Sequence, residues 1–319
     1  MTPPSLDELE RGVLAGDRTL LARAITLVES TRLQDRDEAQ ELLARIAPKT
    51  GGSTRIAISG SPGVGKSTFI EAFGCMLCEA GRRVAVLAVD PASVRGLGSI
   101  LGDKSRMQEL AQHERAYIRP SPSAPTFRGV GRRTRESVLL CEAAGFDVVI
   151  VETVGVGQSE TMVDDMVDFF LLLMQPGAGD ELQGIKRGVL EIADAVVVNK
   201  ADGELLPFAR DAQQQYLAAL KYRARKHDGW TPPALLASAR ERSGLDEVWK
   251  SIEAHRNAVD IARRRGDQLV QWWREEIEES IRERFWSKQA VQAETAGLER
   301  AVRENRIPPT QAARRLLDL

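Results

Sequence analysis

The sequence predicts an α/β fold in which a mostly parallel sheet is covered by helices on both faces. Short, apolar, β-branched runs alternate with helix-length stretches from Arg55 to about residue 244. Continuous apolar strands of this kind are typical of sheets that are buried on both sides. Helical stretches without strand character lie on either side of this region. We therefore expect an N-terminal helical region over 1–50, an α/β domain over 51–262 and a helical arm over 263–319.

Six runs carry the strand prediction. They are IAIS (56–59), VAVLAV (84–89), DVVIV (147–151), FFLLLM (169–174), AVVVN (195–199) and ALLAS (234–238). The carboxyl ends of parallel strands meet at one edge of the sheet, and α/β folds bind their ligands there. Residues 5–47 instead repeat their apolar positions with a helical period, until Pro48 and the pair Gly51 and Gly52 interrupt the pattern.

The composition is that of an ordinary globular protein. Hydrophobic residues make up 43% and charged residues 28% of the 319 residues, and the formal net charge is -2. This balance gives no general attraction to nucleic acid, and no apolar run reaches the roughly 20 residues that span a bilayer. The 3 cysteines do not form a disulfide framework, and the first residues are polar and acidic rather than signal-like. We expect a cytoplasmic protein with neither nucleic-acid nor membrane partners.

A glycine-rich segment follows the first predicted strand. Residues 60–68 read GSPGVGKST and fit the pattern G-x-x-x-x-G-K-[ST] of P-loop nucleotidases. Glycines let backbone N–H groups converge on phosphate oxygens, and the positive end of the following helix adds to the attraction. Lys66 supplies a charge for the β- and γ-phosphates, and the Ser67 hydroxyl is a ligand for Mg²⁺. The predicted phosphate-binding residues are Gly60, Pro62, Gly63, Val64, Gly65, Lys66, Ser67 and Thr68.

A second motif predicts that the base is guanine, and hence that the ligands are GTP and GDP. Asn199, Lys200 and Asp202 form an N-K-x-D pattern at the end of a predicted strand. The Asp202 carboxylate can accept from both N1–H and the exocyclic amine of guanine, whereas adenine offers an acceptor at N1. Lys200 can lie over the base, and Asn199 can tie this loop to the phosphate loop. At the next strand end, Ser238, Ala239 and Arg240 complete the predicted site, where a backbone N–H could meet guanine O6.

Carboxylates at other strand ends are candidates for metal binding and hydrolysis. Glu152 and Gly155 occupy the place of a D-x-x-G element, with a glutamate instead of the usual aspartate. Asp90 and Asp103 could orient the attacking water or hold the metal shell, or they could cap helices. The predicted metal residues are thus Ser67, Asp90, Asp103 and Glu152. No glutamine follows Gly155 to orient water, so we expect slow intrinsic hydrolysis.

A polar, glycine-rich loop over 176–188 is a candidate switch, and it contains Asp180, Gln183 and Lys186. Lys186 either reaches the nucleotide or is a solvated surface lysine. Together with Lys66, Asp90, Asp103 and Glu152, it completes the predicted catalytic set.

Histidine and cysteine argue against a metal-carrying protein. His113, His227 and His255 are scattered along the chain, and Cys75 and Cys78 are expected to pack in the core rather than to bind metal. A metallochaperone would need clustered ligands.

The predicted arm has a helical stripe of large apolar residues. Leu269, Trp272, Trp273, Ile277, Ile281, Phe285 and Trp286 recur at helix-like spacing, and Pro308 and Pro309 precede a last short helix. The stripe either packs on the chain's own α/β domain or forms a homodimer interface.

Several longer motifs resemble the MeaB/ArgK/MMAA family, the G-protein chaperones of adenosylcobalamin-dependent acyl-CoA mutases. The motifs that carry the resemblance include SGSPGVGKST (59–68), VLAVDPAS (86–93), GSILGDKSRM (98–107), VETVGVGQSE (151–160), QPGAGDELQGIKRG (175–188) and NKAD (199–202). The resemblance covers about residues 5–286 and is dense in the α/β domain. It weakens beyond about 287, and the segment 126–133 does not match.

This resemblance implies a G domain similar to that of signal-recognition-particle GTPases and a homodimer built through C-terminal helices. It implies that a GTP cycle gates cofactor loading, protection and reactivation of a mutase, with a cobalamin adenosyltransferase as a further partner. It assigns Asp90, Asp103 and Glu152 to metal and hydrolysis positions, and Asp180, Gln183 and Lys186 to a switch that transmits mutase binding. The alternative function is a kinase or ATPase linked to amino-acid transport, against which Asp202 argues.

Overall fold

The computed structural model of the protein describes residues 4–30, 32–89, 107–120, 127–153, 159–177, 187–222 and 226–319. The chain divides into two compact units, Met1–Ile261 and Ala262–Leu319. No helix in these described ranges is long and apolar enough to cross a membrane.

The first unit is built on a parallel sheet, as predicted. Its seven described strands run in the order β3-β2-β4-β1-β5-β6-β7, and every neighbouring pair is parallel. The strands are β1 (Thr54–Gly60), β2 (Val84–Val89), β3 (Ala116–Pro120), β4 (Val148–Thr153), β5 (Phe169–Met174), β6 (Ala195–Val198) and β7 (Ala234–Leu236). The predicted α/β class is therefore confirmed.

One strand was missing from the sequence prediction, and several strand ends lie elsewhere than predicted. β3 reads AYIRP, and its arginine and proline obscure the apolar pattern. It tolerates them because, among the described strands, it lies at the edge of the sheet and pairs with β2 alone. β4 extends through Glu152 to Thr153, and β7 ends at Leu236 instead of residue 238.

Helices cover both faces of the sheet in the first unit. The described helices of this unit are α1 (Leu6–Leu14), α2 (Arg18–Glu29), α3 (Leu33–Ile46), α4 (Lys66–Glu79), α5 (Gln108–Gln112), α6 (Phe127–Ala143), α7 (Ser159–Asp164), α8 (Arg187–Ile192), α9 (Leu206–Lys221) and α10 (Leu245–Ala258). One core includes side chains of α1, α2, α3, α6 and α9, and the other includes those of α4, α5 and α10. Cys75 and Cys78 are buried in the second core, which confirms their predicted packing. Burial raises the pKa of each thiol to about 11.

A buried ion pair joins the start of the sheet to α6. The Arg55 guanidinium donates to both carboxylate oxygens of Glu142, at 2.9 and 2.7 Å, and the Ser53 hydroxyl donates at 2.7 Å. Burial raises the pKa of Glu142, but the hydrogen bonds and charge of Arg55 outweigh it, so the pKa lies below its ordinary value. The pair therefore stabilises the fold only while Glu142 is ionised.

The second unit is helical. It contains most of α11 (Ile261–Ser287), then α12 (Gln289–Arg303) and α13 (Pro309–Leu317). α11 exposes a row of large apolar side chains, among which Trp273 is 62% and Ile281 63% exposed. Single exposed apolar residues are common on protein surfaces, whereas this helix carries several of them.

Candidate nucleotide-binding site

The phosphate loop leaves the central strand β1 and enters α4 at Lys66. Two of its glycines are required by geometry. A Cβ atom at Gly60 would lie 2.5 Å from the Leu173 carbonyl oxygen, and Gly65, with a φ of 93°, would place one 2.9 Å from the Asn199 Nδ2 atom. The loop therefore lies too close to β5 and to the Asn199 loop for side chains at these positions.

The Lys66 ammonium points back over the loop. Its Nζ donates to the carbonyl oxygens of Gly60, at 2.7 Å, and Ser61, at 3.2 Å. Burial lowers the pKa of Lys66, while the carboxylates of Glu152 and Glu160 act in the opposite direction. The lysine thus lies inside the loop, where a phosphate would need its charge.

A hydroxyl and a carboxylate meet beside the loop. The Ser67 hydroxyl donates to Glu152 Oε1 at 3.2 Å, because β4 neighbours β1 and sets Glu152 in register with Ile58. Next to them, the buried Thr153 hydroxyl donates to the Ser59 hydroxyl at 2.8 Å. Hydroxyl and carboxylate oxygens are the hard ligands that Mg²⁺ prefers, so this donor pair fits the predicted metal.

Asn199 connects the loop after β6 to the phosphate loop. Its side-chain amide donates to the Val64 carbonyl at 3.0 Å, and its Oδ1 accepts the Ala239 N–H at 3.3 Å. A backbone N–H of the segment 238–240 was predicted to meet guanine O6; in the structure the N–H of Ala239 is directed to Asn199. Lys200 adopts a φ of 58°, and its ammonium donates to the Gly63 carbonyl at 2.7 Å. Both side chains therefore hold the base loop against the phosphate loop.

Asp202 lies beside the loop that follows β7. The Ser238 hydroxyl donates to its carboxylate and accepts the Glu241 N–H at 3.1 Å. Ser238 and Ala239 are buried, whereas Arg240 is exposed. The Ser238 hydroxyl thus helps to orient the carboxylate that we assigned to guanine.

The structure brings most of the predicted residues to one edge of the sheet. Pro62, Gly63 and Thr68 are exposed along the phosphate loop, and Val64 is buried beneath it. The predicted residues Asp90, Asp103, Gly155 and Lys186, and the switch residues Asp180 and Gln183, lie outside the described part of the chain.

Two residues near the site were not singled out in the sequence. Thr153 directly follows Glu152, and Glu160 lies in the first turn of α7. Both belong to the VETVGVGQSE motif, which was the available signal. Their closeness to the phosphate loop becomes visible only once β4 is aligned with β1.

The fold and its two adjoining loops are those of a P-loop nucleotide-binding protein with a guanine-type base loop. Residues 21–290 match the family described as methylmalonyl Co-A mutase-associated GTPase MeaB. The chain belongs to this family of GTPases.

Relatives cover nearly the whole chain. The GTPase ArgK of Escherichia coli is 45% identical over 316 residues, which are 98% of this chain and 96% of that protein. The mouse protein named methylmalonic aciduria type A homolog, mitochondrial, is 44% identical over 326 residues, which are 98% of this chain and 79% of the mouse protein. Among solved structures, that of an LAO/AO transport system kinase is 39% identical, with a TM-score of 0.77 and coverage of 100% of this chain and 98% of that one.

Proposed function

We propose that this GTPase is a chaperone of an adenosylcobalamin-dependent acyl-CoA mutase, and that its GTP cycle gates cofactor loading, protection and reactivation of that enzyme. The observation that carries the proposal is the family match over residues 21–290, whose description names methylmalonyl-CoA mutase. The connected phosphate and base loops support a nucleotide cycle in this chain, because the Asn199 amide joins them through its hydrogen bond to the Val64 carbonyl.

The chain's own residues suit GTP hydrolysis with Mg²⁺. Ser67 and Glu152 would hold the ion, which supplies charge neutralisation at the β- and γ-phosphate oxygens. Lys66 would exchange its carbonyl partners for phosphate oxygens, and Asp202 would select guanine. We propose that Asp90, Asp103 and Lys186 complete the site, as the family resemblance implies.

We also propose that the chain acts as a homodimer through the exposed row on α11, and that a cobalamin adenosyltransferase is a further partner. The row supports dimerisation because Leu269, Trp273, Ile277 and Ile281 follow one another at four-residue steps along one helix and each is exposed. Burial of such a row in a partner would remove a large apolar area from water.

A kinase or ATPase linked to amino-acid transport is the second candidate. It is favoured by the 39% identical solved structure, whose protein is described as a transport system kinase. It requires tolerance of adenine and a protein phospho-acceptor, so the preference of this chain for GDP over ADP distinguishes the two functions.

The test is GTP turnover with and without a purified methylmalonyl-CoA mutase. We expect slow turnover alone, because no glutamine directly follows Gly155, and faster turnover with the mutase. Lys186→Ala should reduce the stimulated rate far more than the basal rate, while Lys221→Ala, an exposed lysine on α9, should change neither. A mutase that leaves the wild-type rate unchanged would contradict the chaperone function, and equal stimulation of both variants would remove Lys186 from the switch.

A further inference from the structure

Three residues that are distant in sequence meet at the edge of the sheet opposite the nucleotide loops. Asp194 directly precedes β6, His227 lies in the segment before β7, and His255 is on α10. In the sequence the histidines are scattered, and they were not predicted to be metal ligands. The structure corrects this, because it places the rings of His227 and His255 5.5 Å apart and next to Asp194.

We propose that Asp194, His227 and His255 form a binding site for a transition-metal ion, with Zn²⁺ as the best-matched ion. The Asp194 Oδ1 atom lies 3.5 Å from His227 Nε2 and 3.8 Å from His255 Nε2. One ligand atom of each residue lies within 4.8 Å of the others. Zinc bonds to nitrogen and carboxylate oxygen are about 2.0–2.2 Å, so two ligands of a tetrahedral ion are about 3.3–3.6 Å apart. Small movements would therefore bring all three atoms to bonding distance.

The carboxylate is held in the orientation that a ligand needs. Asp194 Oδ2 accepts the Phe170 N–H at 2.9 Å and the Lys226 ammonium at 2.8 Å. In the described part of the chain, the buried Oδ1 atom accepts no hydrogen bond. In metal sites, residues that do not touch the metal commonly hydrogen-bond its ligands and hold them in place. Phe170 and Lys226 would do this for one oxygen of Asp194, which leaves the other oxygen for the metal.

The local charge favours a cation. Lys226 lies between two carboxylates, because it also donates to Asp164 Oδ1 at 2.6 Å. The Asp194 side chain is fully buried, and Lys226 is shared between its carboxylate and that of Asp164. A buried carboxylate favours a positive ion beside it, and a metal ion bound by neutral imidazoles would keep its charge available to Asp194.

The cluster is enclosed by aromatic side chains on one side and is accessible to solvent on the other. His255 is fully buried and packs edge-on against Phe169 and Trp230, with ring centroids 5.0 and 5.1 Å away. His227 keeps 14% of its side chain exposed. An ion could therefore enter past His227, and three protein ligands would leave a fourth position for water.

The experiment measures zinc binding to the untagged full chain after treatment with a chelator. Titration of Zn²⁺ against a chromophoric competitor should show one bound ion per chain. His227→Gln should weaken this binding by at least about 100-fold, since even the loss of a supporting residue costs about 10–100-fold. His113→Gln is the matched control, because His113 is the remaining histidine of the chain and its Nδ1 accepts the Arg115 N–H elsewhere in the fold.

Two further readouts separate a metal site from a hydrogen-bonded cluster. Co²⁺ should give the intense visible absorption of tetrahedral coordination in the wild type and in His113→Gln, but not in His227→Gln. Zn²⁺ should raise the unfolding temperature of the same two proteins only. The proposal is overturned if the wild type binds no zinc or if His227→Gln binds it equally well. His227→Gln is used because the fully buried His255 is more sensitive to substitution.

Discussion

The side-chain amide of Asn199 donates to the main-chain carbonyl of Val64 across 3.0 Å, while its oxygen accepts the N–H of Ala239 at 3.3 Å. One buried amide therefore connects the phosphate loop, the base loop and the loop after β7. An amide can do this because it carries a donor and an acceptor on the same carbon, a property that neither a carboxylate nor an apolar side chain has.

Asn199→Asp should weaken GDP binding by about 10–100-fold, because a carboxylate oxygen would replace the donor and face the Val64 carbonyl. Calorimetric titration with GDP measures the effect. Asn257→Asp, at an exposed position of α10, should bind GDP like the wild type. Unchanged affinity in Asn199→Asp would show that the link between the loops does not contribute to binding.

Asp202→Asn should move base preference from guanine toward xanthine, whose carbonyl replaces the exocyclic amine and suits an amide donor. We expect a change of about tenfold or more in the ratio of the two affinities. The Ser238 hydroxyl can still donate to the new amide oxygen, so the loop should keep its conformation. Competition between GDP, XDP and ADP provides the measurement, with Asp211→Asn on the exposed face of α9 as the control. Equal wild-type affinities for GDP and ADP would refute the guanine assignment.

Lys66→Ala should lower GTP turnover by about 100-fold or more, since the charge that stabilises the phosphate oxygens is lost. The fold should persist, because the Lys66 ammonium contacts two loop carbonyls rather than the core. Phosphate release and far-ultraviolet circular dichroism report these two properties. Normal turnover in a normally folded variant would remove Lys66 from the catalytic set.

Trp273→Glu should convert the proposed homodimer into a monomer, because it places a charge in the exposed row of α11. Phe208→Glu is a matched control, since Phe208 is 56% exposed on α9 and Trp273 is 62% exposed. Light scattering gives the mass of each variant. A Trp273→Glu protein that keeps the wild-type mass above that of a monomer would place the interface elsewhere.

Glu142→Gln should lower the free energy of unfolding at neutral pH by about 3 kcal/mol, because it leaves the partly buried Arg55 without its charged partner. The pKa of Glu142 lies below its ordinary value of 4.5 in the folded protein. At a pH between the folded-state and the unfolded-state pKa of Glu142, the unfolded chain binds more protons than the folded protein. The ion pair therefore contributes its full stabilisation above pH 4.5, and this stabilisation is lost as the pH falls below that value. Urea unfolding of the wild type and of Glu142→Gln, measured from pH 7 downward, should therefore show a difference in the free energy of unfolding. This difference should shrink only in acid. A difference that is the same at every pH would contradict the assignment, and Glu204→Gln, at an exposed position, should show no such trend.

The motifs of the nucleotide edge can be recognised in the sequence because they depend on local geometry. A phosphate loop needs its glycines next to its lysine, and the N-K-x-D loop must follow a strand, so both patterns are contiguous in the chain. The partnership of Asn199 with the phosphate loop could also be expected from these motifs. The direction of the Ala239 N–H could not, because it depends on how far the loop after β7 approaches Asn199.

The parts that escaped prediction depend on contacts between distant segments. β3 has too few apolar residues to be recognised alone, and its pairing with β2 fixes it as a strand. His227 and His255 carry no mutual signal in the sequence, since it is the folding of the segment before β7 and of α10 that brings them to Asp194. Local patterns thus identified the chemistry of single loops, whereas clusters formed by the topology became visible only in the folded chain.

The central position of β1 has a consequence for the synthesis of the protein. Ile56 is in register with Ile150 of β4 and Phe169 of β5, so the strand that carries the phosphate loop emerges from the ribosome long before either neighbour. At about 5–20 residues per second, the delay before β4 appears is about 5–20 s. During that interval the apolar β1 has no sheet partner on either side and is open to chaperones or to misassociation. A nascent chain therefore cannot acquire its nucleotide until most of the sheet has been made.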